Sequence, residues 1–519
     1  MVFSCLGVLI FVVALFYAEE DWRGWRAWEN YRSFWEAKGE RFEVASVVPP
    51  EVPDDQNFAL APIITRLCVK PTNKKDPNPL AVRLYGLDED APFWSSSSIT
   101  QPVCWPTIGN WRLAKLTDLT EWREYYHAPK EFVAAKRRAE KISDELASSN
   151  SPAADVLLAL GKYSSSIEAL REASRLRYSR FPLKYQDHRE DVSSHLGPLV
   201  ECAGVLQLRA IAELQLNEGQ PALDDASLIL RLADALRGEP YWQSQRTRTE
   251  IVGRALEPIW EGLAAHRWTD DELAALDAKL AGLNFFSDYE LAVRGGRARA
   301  LADLEGLRHG VESVLGHRSQ HSLDFEDRAI LLGVSCFPEG WYYQNELGAC
   351  RIYTESLLPM LDPRTEMISA ELAGVFRAGG DELRVYHRDF ELYFGGHLAH
   401  LNAYNVLAYL KLIAPSPGRY VFAQNDVNLA RVACALERYR ARFKAYPQKL
   451  GDLTPLFAGS LPPDAISGQP LKYRRRGDKF ILYSMGRDAT DHGGMAMLRA
   501  SGIMPGLSYV AGDSVWDYP

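Results

Sequence analysis

From Ala128 to about Leu412 apolar residues recur at spacings of three and four, and that period constrains the fold more than any other feature. The spacing predicts helices over Lys130–Ser148, Ala153–Tyr178, Leu196–Asn217 and Pro221–Arg237. The pair meeting at Gly219-Gln220 reads as a helix hairpin, with Leu206, Ala210 and Leu214 facing Ala222, Ala226 and Leu230. That unit looks like one tetratricopeptide-type repeat. No period of about 34 residues is sustained over three copies, so an irregular helical domain is expected rather than a regular solenoid. Thr269-Asp-Asp-Glu272 is a capping box, which predicts a helix running to Leu283. Glu371–Arg377 and Phe390–Ile413 continue the pattern until Ala414-Pro-Ser-Pro-Gly418 breaks it.

The residues before this region divide in two. Met1 to Ala18 carries no charge, and an apolar run of that length reaches the short end of what spans a bilayer, about 17 residues. No Lys or Arg precedes the run, and Phe16 stands where a cleavage site needs a small residue. An uncleaved anchor is therefore expected over a signal peptide or a buried core helix. Trp22, Trp25, Trp28, Tyr31 and Trp35 then follow at helical spacing, as in a helix leaving the membrane. From Val47 to about Pro106, prolines and the run Ser95–Ser98 exclude long helices. The expected organisation is an anchor (1–18), a juxtamembrane helix with a loop-rich region (19–127), a helical domain (128–413) and a small α+β domain (419–519). The fold class is mainly α.

Beyond the break, Leu429, Val432, Ala433, Leu436, Tyr439 and Phe443 share one face of a helix placed at Val427–Phe443. Tyr446-Pro447 ends it, and Leu450, Leu453 and Leu456 suggest a short second helix. Gly477-Asp478 marks a hairpin turn between Pro470-Leu-Lys-Tyr-Arg and Lys479-Phe-Ile-Leu-Tyr-Ser. The loop Met485-Gly-Arg-Asp-Ala-Thr-Asp-His-Gly-Gly494 comes next. Helix, two strands and an Asp/Gly loop in this order resemble the soluble domain of the major pseudopilin of type II secretion systems, over about 90 residues. That resemblance implies a bacterial envelope setting and a calcium ion shared between the loop and a later acid near a terminal Trp. The positions that match are Asp488, Asp491 and Asp513, with Trp516 close behind. A Gly/Asp loop suits calcium, which takes about six to eight oxygens in flexible geometry. Two features depart from the family: the anchor is not contiguous with this helix, and the pilin-type cleavage context is missing.

No reaction is legible. There is no G-x-S-x-G, no Walker A and no G-x-G-x-x-G. His387, Asp389, His397 and His400 fall close together, and an envelope hydrolase built around them is the alternative to a non-catalytic scaffold. His317 and His321 have ligand spacing without a third ligand. Gly340-Trp-Tyr-Tyr-Gln-Asn345 could line a groove for peptide or glycan, although aromatic clusters are more often core. The seven cysteines keep no metal-ligand spacing; Cys68 and Cys104 could pair in an oxidising compartment, or all seven could be unrelated thiols. Net charge is 59 − 68 = −9 without a long basic run, which argues against nucleic acid as the main partner. The expected partners are the membrane, through the N-terminal helix, and other envelope proteins. A single-pass location with the bulk of the chain outside the cytoplasm follows from the same reading.

Overall fold

The structure is a computed structural model that describes residues 2–68, 106–127, 151–187, 192–308, 337–377, 415–456, 460–486, 489–498 and 510–518. It is mainly helical, with small antiparallel sheets. The first helix, α1, runs without a break over Val2–Ala37, so the apolar run and the Trp-rich stretch form one rod. It stops where Gly39 turns left-handed (φ 96°): the Glu40 N–H bonds Trp35 O and the Gly39 N–H bonds Glu36 O. That pairing satisfies two carbonyls the helix would otherwise leave open.

Short elements follow, as the prolines predict: three 3₁₀ turns between Val44 and Leu60, then α2 (Pro62–Cys68) and α3 (Leu119–His127). Asn57 fastens this region to the body, accepting from Ala59 N and Arg180 N and donating to Arg180 O. The predicted helix at Ala153–Tyr178 is two helices, α4 (Pro152–Leu160) and α5 (Ser164–Ala173), separated by a 3₁₀ turn at Gly161–Tyr163. Gly161 and the Ser164-Ser-Ser166 run weaken the helix where it breaks. Tyr178 lies beyond it, paired with Asn57 as an extended bridge.

The hairpin at Gly219 forms as expected. Helices α6 (Leu196–Gln215) and α7 (Gly219–Asp234) meet at a turn where Asn217 is left-handed (φ 66°), and all six named apolar residues are buried. Helix α8 (Trp242–Ala264) packs across both. Helix α9 (Asp270–Ala281) opens on the predicted capping box: the Thr269 N–H donates to Glu272 Oε2 at 2.8 Å and the Glu272 N–H to Thr269 Oγ1 at 3.3 Å. Helices α10 (Phe285–Arg308), α11 (Glu339–Arg351) and α12 (Ala370–Arg377) complete the helical part, with the two-stranded pair β1 (Leu361–Asp362) and β2 (Met367–Ile368) between the last two. The predicted helices Lys130–Ser148 and Phe390–Ile413 lie outside the described residues.

The C-terminal helix departs from expectation. Helix α13 spans Pro417–Phe443, ten residues longer at its start than the predicted Val427–Phe443. Pro417 stands at the first helical position, where its missing N–H costs nothing and its fixed φ favours the helix. The Pro-Ser-Pro-Gly segment is thus a helix start rather than an exposed linker; Pro415, Pro417 and Gly418 are all buried. The helix packs on α8, α9 and α10 on one side and on the sheet on the other. A single apolar core accordingly runs from Phe58 to Tyr518 and includes both the helical region and the terminal sheet.

That sheet has the order β3 (Lys472–Arg476), β4 (Lys479–Ser484), β7 (Ser514–Trp516), all antiparallel. Gly477, left-handed at φ 61°, makes the predicted hairpin turn. Leu450–Leu456 is a 3₁₀ helix. Phe480, Leu482 and Trp516 face the core, while Ile481, Tyr483 and Val515 cluster on the opposite side. A separate pair, β5 (Ala496–Leu498) with β6 (Val510–Gly512), lies beyond the loop.

Candidate metal loop, buried seam and apolar helix

Of the three predicted calcium ligands, the fold brings Asp491 and Asp513 to the same loop, and Asp488 lies outside the described residues. Asp513 is fully buried directly after Gly512, whose φ of 90° few other residues adopt. The approach there is close: a Cβ on Gly486 would lie 1.4 Å from Gly512 O. The Asp513 carboxylate accepts from the His492 N–H at 3.1 Å and the Gly494 N–H at 2.8 Å, so it holds the loop shut from behind. Burial and the charge of Asp491 raise its pKa, against the pull of those N–H groups. Asp491 is half-exposed and accepts from Gly493 N and Tyr483 OH, with Lys472 at 3.6 Å; the Gly493 N–H leads in lowering its pKa. Both carboxylates have spare lone pairs after these bonds. They would fit a calcium ion as two members of a larger oxygen set. Among the described residues no group of three His, Cys, Asp or Glu converges.

A buried polar seam ties this sheet to the helical body. Asn425 of α13 donates to Ser484 Oγ at 2.7 Å and accepts from Ala465 N, while Asp464 accepts from Ile466 N and Met485 N. Asp426 pairs with Arg112 and accepts from Ser514 Oγ at 3.3 Å. One helical turn apart on α8, Glu257 accepts from Trp111 N at 3.1 Å, and Glu261 accepts from Thr117 N at 3.0 Å and Thr117 Oγ1 at 2.6 Å. Trp111 in turn packs on Trp516, ring centroids 4.9 Å apart. Sequence reasoning missed these acids. The available signal was that Glu257 and Glu261 fall on the same face of a helix whose neighbours Leu256 and Trp260 are apolar.

Burial pushes the Glu257 pKa up to about 8, with Glu261 adding to it, and that of Glu261 up to about 7. The same cause raises Glu201 to about 8 and Glu213 to about 7. Above about pH 4.5 the unfolded chain releases these protons while the folded chain keeps them. Their contribution to stability is full below that pH and is lost as pH rises through 7 to 8. Thermal unfolding is expected at a higher temperature at pH 5.5 than at pH 8.5. Glu257→Gln with Glu261→Gln should flatten that dependence, and an equally steep profile in the double variant would refute the assignment.

His387, Asp389, His397, His400, His317 and His321 lie outside the described residues, as does Cys104. Cys68 is a free thiol whose pKa burial pushes up to about 12. His195 Nε2 lies 2.9 Å from Glu239 Oε1, and Ser244 Oγ donates to the same carboxylate. The glutamate stands between the other two, so the histidine does not activate the hydroxyl as a catalytic triad requires. Trp341 and Tyr342 of the aromatic stretch pack α11 against its neighbours, and Trp341 Nε1 donates to Glu20 Oε2 at 3.0 Å. Tyr343 lines a cavity of about 370 Å³ between α1, α10 and α11.

The remaining feature is α1. Leu6, Val8, Leu9, Ile10, Phe11, Val12, Val13, Leu15 and Phe16 are between 41% and 64% exposed, apolar on every side of the helix. Among the described residues no helix is long and apolar enough to cross a membrane. Side chains are described there from Ser4, and Glu19, Glu20 and Asp21 follow Ala18 directly. At about 1.5 Å per residue the stretch from Ser4 to Ala18 covers roughly 22 Å of a hydrocarbon core near 30 Å. No protein-family model, curated protein or solved structure matches the chain.

Proposed function

We propose that this chain is a membrane-tethered, non-catalytic scaffold of the bacterial envelope, with Met1–Ala18 as its anchor and the helical body as its interaction platform. The observation that carries this reading is the row of nine exposed apolar side chains on α1. A helix apolar all round needs a nonpolar surrounding, which a bilayer supplies. From Val2 to Ala18 the run is about 26 Å long at the helical rise, the short end for a span. The mixed charges after it, Glu19, Glu20, Asp21, Arg23 and Arg26, set no orientation by themselves. The full chain is expected to pellet with membranes and to resist carbonate extraction, while a chain beginning at Glu20 stays in the supernatant. Full solubility of the complete chain without detergent would rule the anchor out.

The terminal unit is read as pseudopilin-like, supported by the order helix, hairpin, Asp/Gly loop and a late strand bearing Trp516. Within that reading Asp488, Asp491 and Asp513 hold a calcium ion, which would neutralise their mutual repulsion. Binding confined to the folded state adds RT ln(1 + [L]/Kd), about 2.7 kcal/mol at calcium one hundred times its Kd. The melting temperature should rise in calcium and fall in chelator, and Asp488→Ala should erase the difference while Asp452→Ala preserves it. Identical melts in millimolar calcium and in chelator would leave the loop as a hydrogen-bonded turn.

A further inference from the structure

The cavity between α1, α10 and α11 has an electrostatic imbalance that its own residues leave uncorrected. Four glutamates line it, Glu29, Glu43, Glu305 and Glu346, against two arginines. Both arginines are already engaged. Arg32 donates to Glu36 at 2.8 Å and to Glu43 at 2.7 Å; Arg308 donates to Tyr343 OH and stands 3.6 Å from Glu305. Glu346 is different. It is 6% exposed, it lines the cavity, and no hydrogen bond reaches its carboxylate among the described residues. Arg308 and Arg32 act on it through space only, and a largely buried carboxylate with no hydrogen-bond donor is costly to ionise, a cost that a cation brought to it lowers. At the rim Trp25 is 49% exposed, and no ring or cation stacks on it among the described residues. An open indole face beside carboxylates is the usual surround of an organic ammonium group. The volume, about 370 Å³, suits a small ligand.

We propose that this cavity binds an organic ammonium ion, with the charged nitrogen at Glu346 and the alkyl stem along Trp25 toward Glu29. The proposal is independent of the anchor and of calcium. Burial holds the Glu346 pKa at about 7, with Glu305 raising it and Arg308 and Arg32 lowering it. Among the described residues Glu29 and Glu43 are the other charged groups that line the cavity. Cation binding favours the ionised carboxylate, so affinity should rise between pH 6 and pH 8 with release of a proton.

The test uses the full chain in detergent micelles, 1,5-diaminopentane as probe and 1,5-pentanediol as its neutral counterpart. Titration calorimetry and quenching of tryptophan fluorescence should report saturable binding of the diamine and none of the diol. Glu346→Gln should weaken binding at least tenfold, and Trp25→Ala several-fold. Should Glu346→Gln fail to fold by circular dichroism, Ala302→Leu fills the cavity while every charge stays in place, and it should weaken binding equally. The proposal is overturned if the diamine shows no saturable binding, or if the diol, Glu346→Gln and Ala302→Leu all bind as the diamine and the unaltered chain do.

Discussion

Gly340→Val is expected to push α1 away from α11 and to cost about 3 kcal/mol or more, the upper end for overpacking a well-fitted contact. The two helices cross backbone to backbone. A Cβ on Gly340 would lie 1.9 Å from Glu20 O, and one on Gly24 would lie 2.1 Å from Gly340 O. Neither partner atom belongs to a side chain that can swing aside. Separation would also break the bond from Gly340 N to Asp21 Oδ1 at 2.9 Å. That bond caps α11, whose own N-cap, Pro338, has no side-chain acceptor to offer. Hydrogen exchange should report the loss as faster exchange along residues 20–37 and 339–351. Gly253→Ala, where a Cβ meets nothing within 4 Å, should leave stability unchanged or slightly raised.

Arg297→Ala is expected to cost on the order of 3–5 kcal/mol, as breaking a buried ion pair does. The guanidinium is 1% exposed and donates to Thr354 Oγ1, Glu40 Oε2 and Arg41 O, each at 2.7 Å, while lying 4.5 Å over the Phe42 ring. Burial works against the Glu40 charge, but hydrogen bonds from Arg294 and Arg297 outweigh it and lower the pKa of Glu40. Alanine would leave Glu40 with Arg294 alone and Arg41 O without its donor. The chain after Gly39 would then be tied to α10 through Arg294 alone. Denaturant unfolding in detergent, followed by tryptophan fluorescence, measures the loss; Arg297→Lys should recover only part of it, because an ammonium cannot reproduce the planar fork.

What the sequence made legible was local. The capping box at Thr269, the hairpin at Gly477 and the facing rows of α6 and α7 each depend on residues close along the chain, where spacing alone dictates which side chains meet. The start of α13 was not legible, because Pro417 and Gly418 look the same at a helix N-terminus as in a linker; burial against α8, α9 and α10 decides between them. The ties from Trp111 to Glu257 and from Arg112 to Asp426 join residues more than a hundred positions apart. No periodicity encodes such pairs. For the proposed calcium loop the pseudopilin resemblance pointed to Asp513 by its place near Trp516, and the fold brings it to the loop. Its bonds to His492 N and Gly494 N, which close the loop without any ion, were invisible beforehand.

On the proposed reading α1 runs as one helix from the bilayer, in its first part, to its contact with α11, in its second. Spin labels at Ile10→Cys, Trp22→Cys and Asn30→Cys, in a chain carrying Cys5→Ser and reconstituted in vesicles, test it most directly. The account predicts that oxygen accessibility is highest at residue 10, intermediate at 22 and lowest at 30, with the water-soluble relaxant showing the reverse order. Equal access of the water-soluble relaxant at all three positions would contradict it.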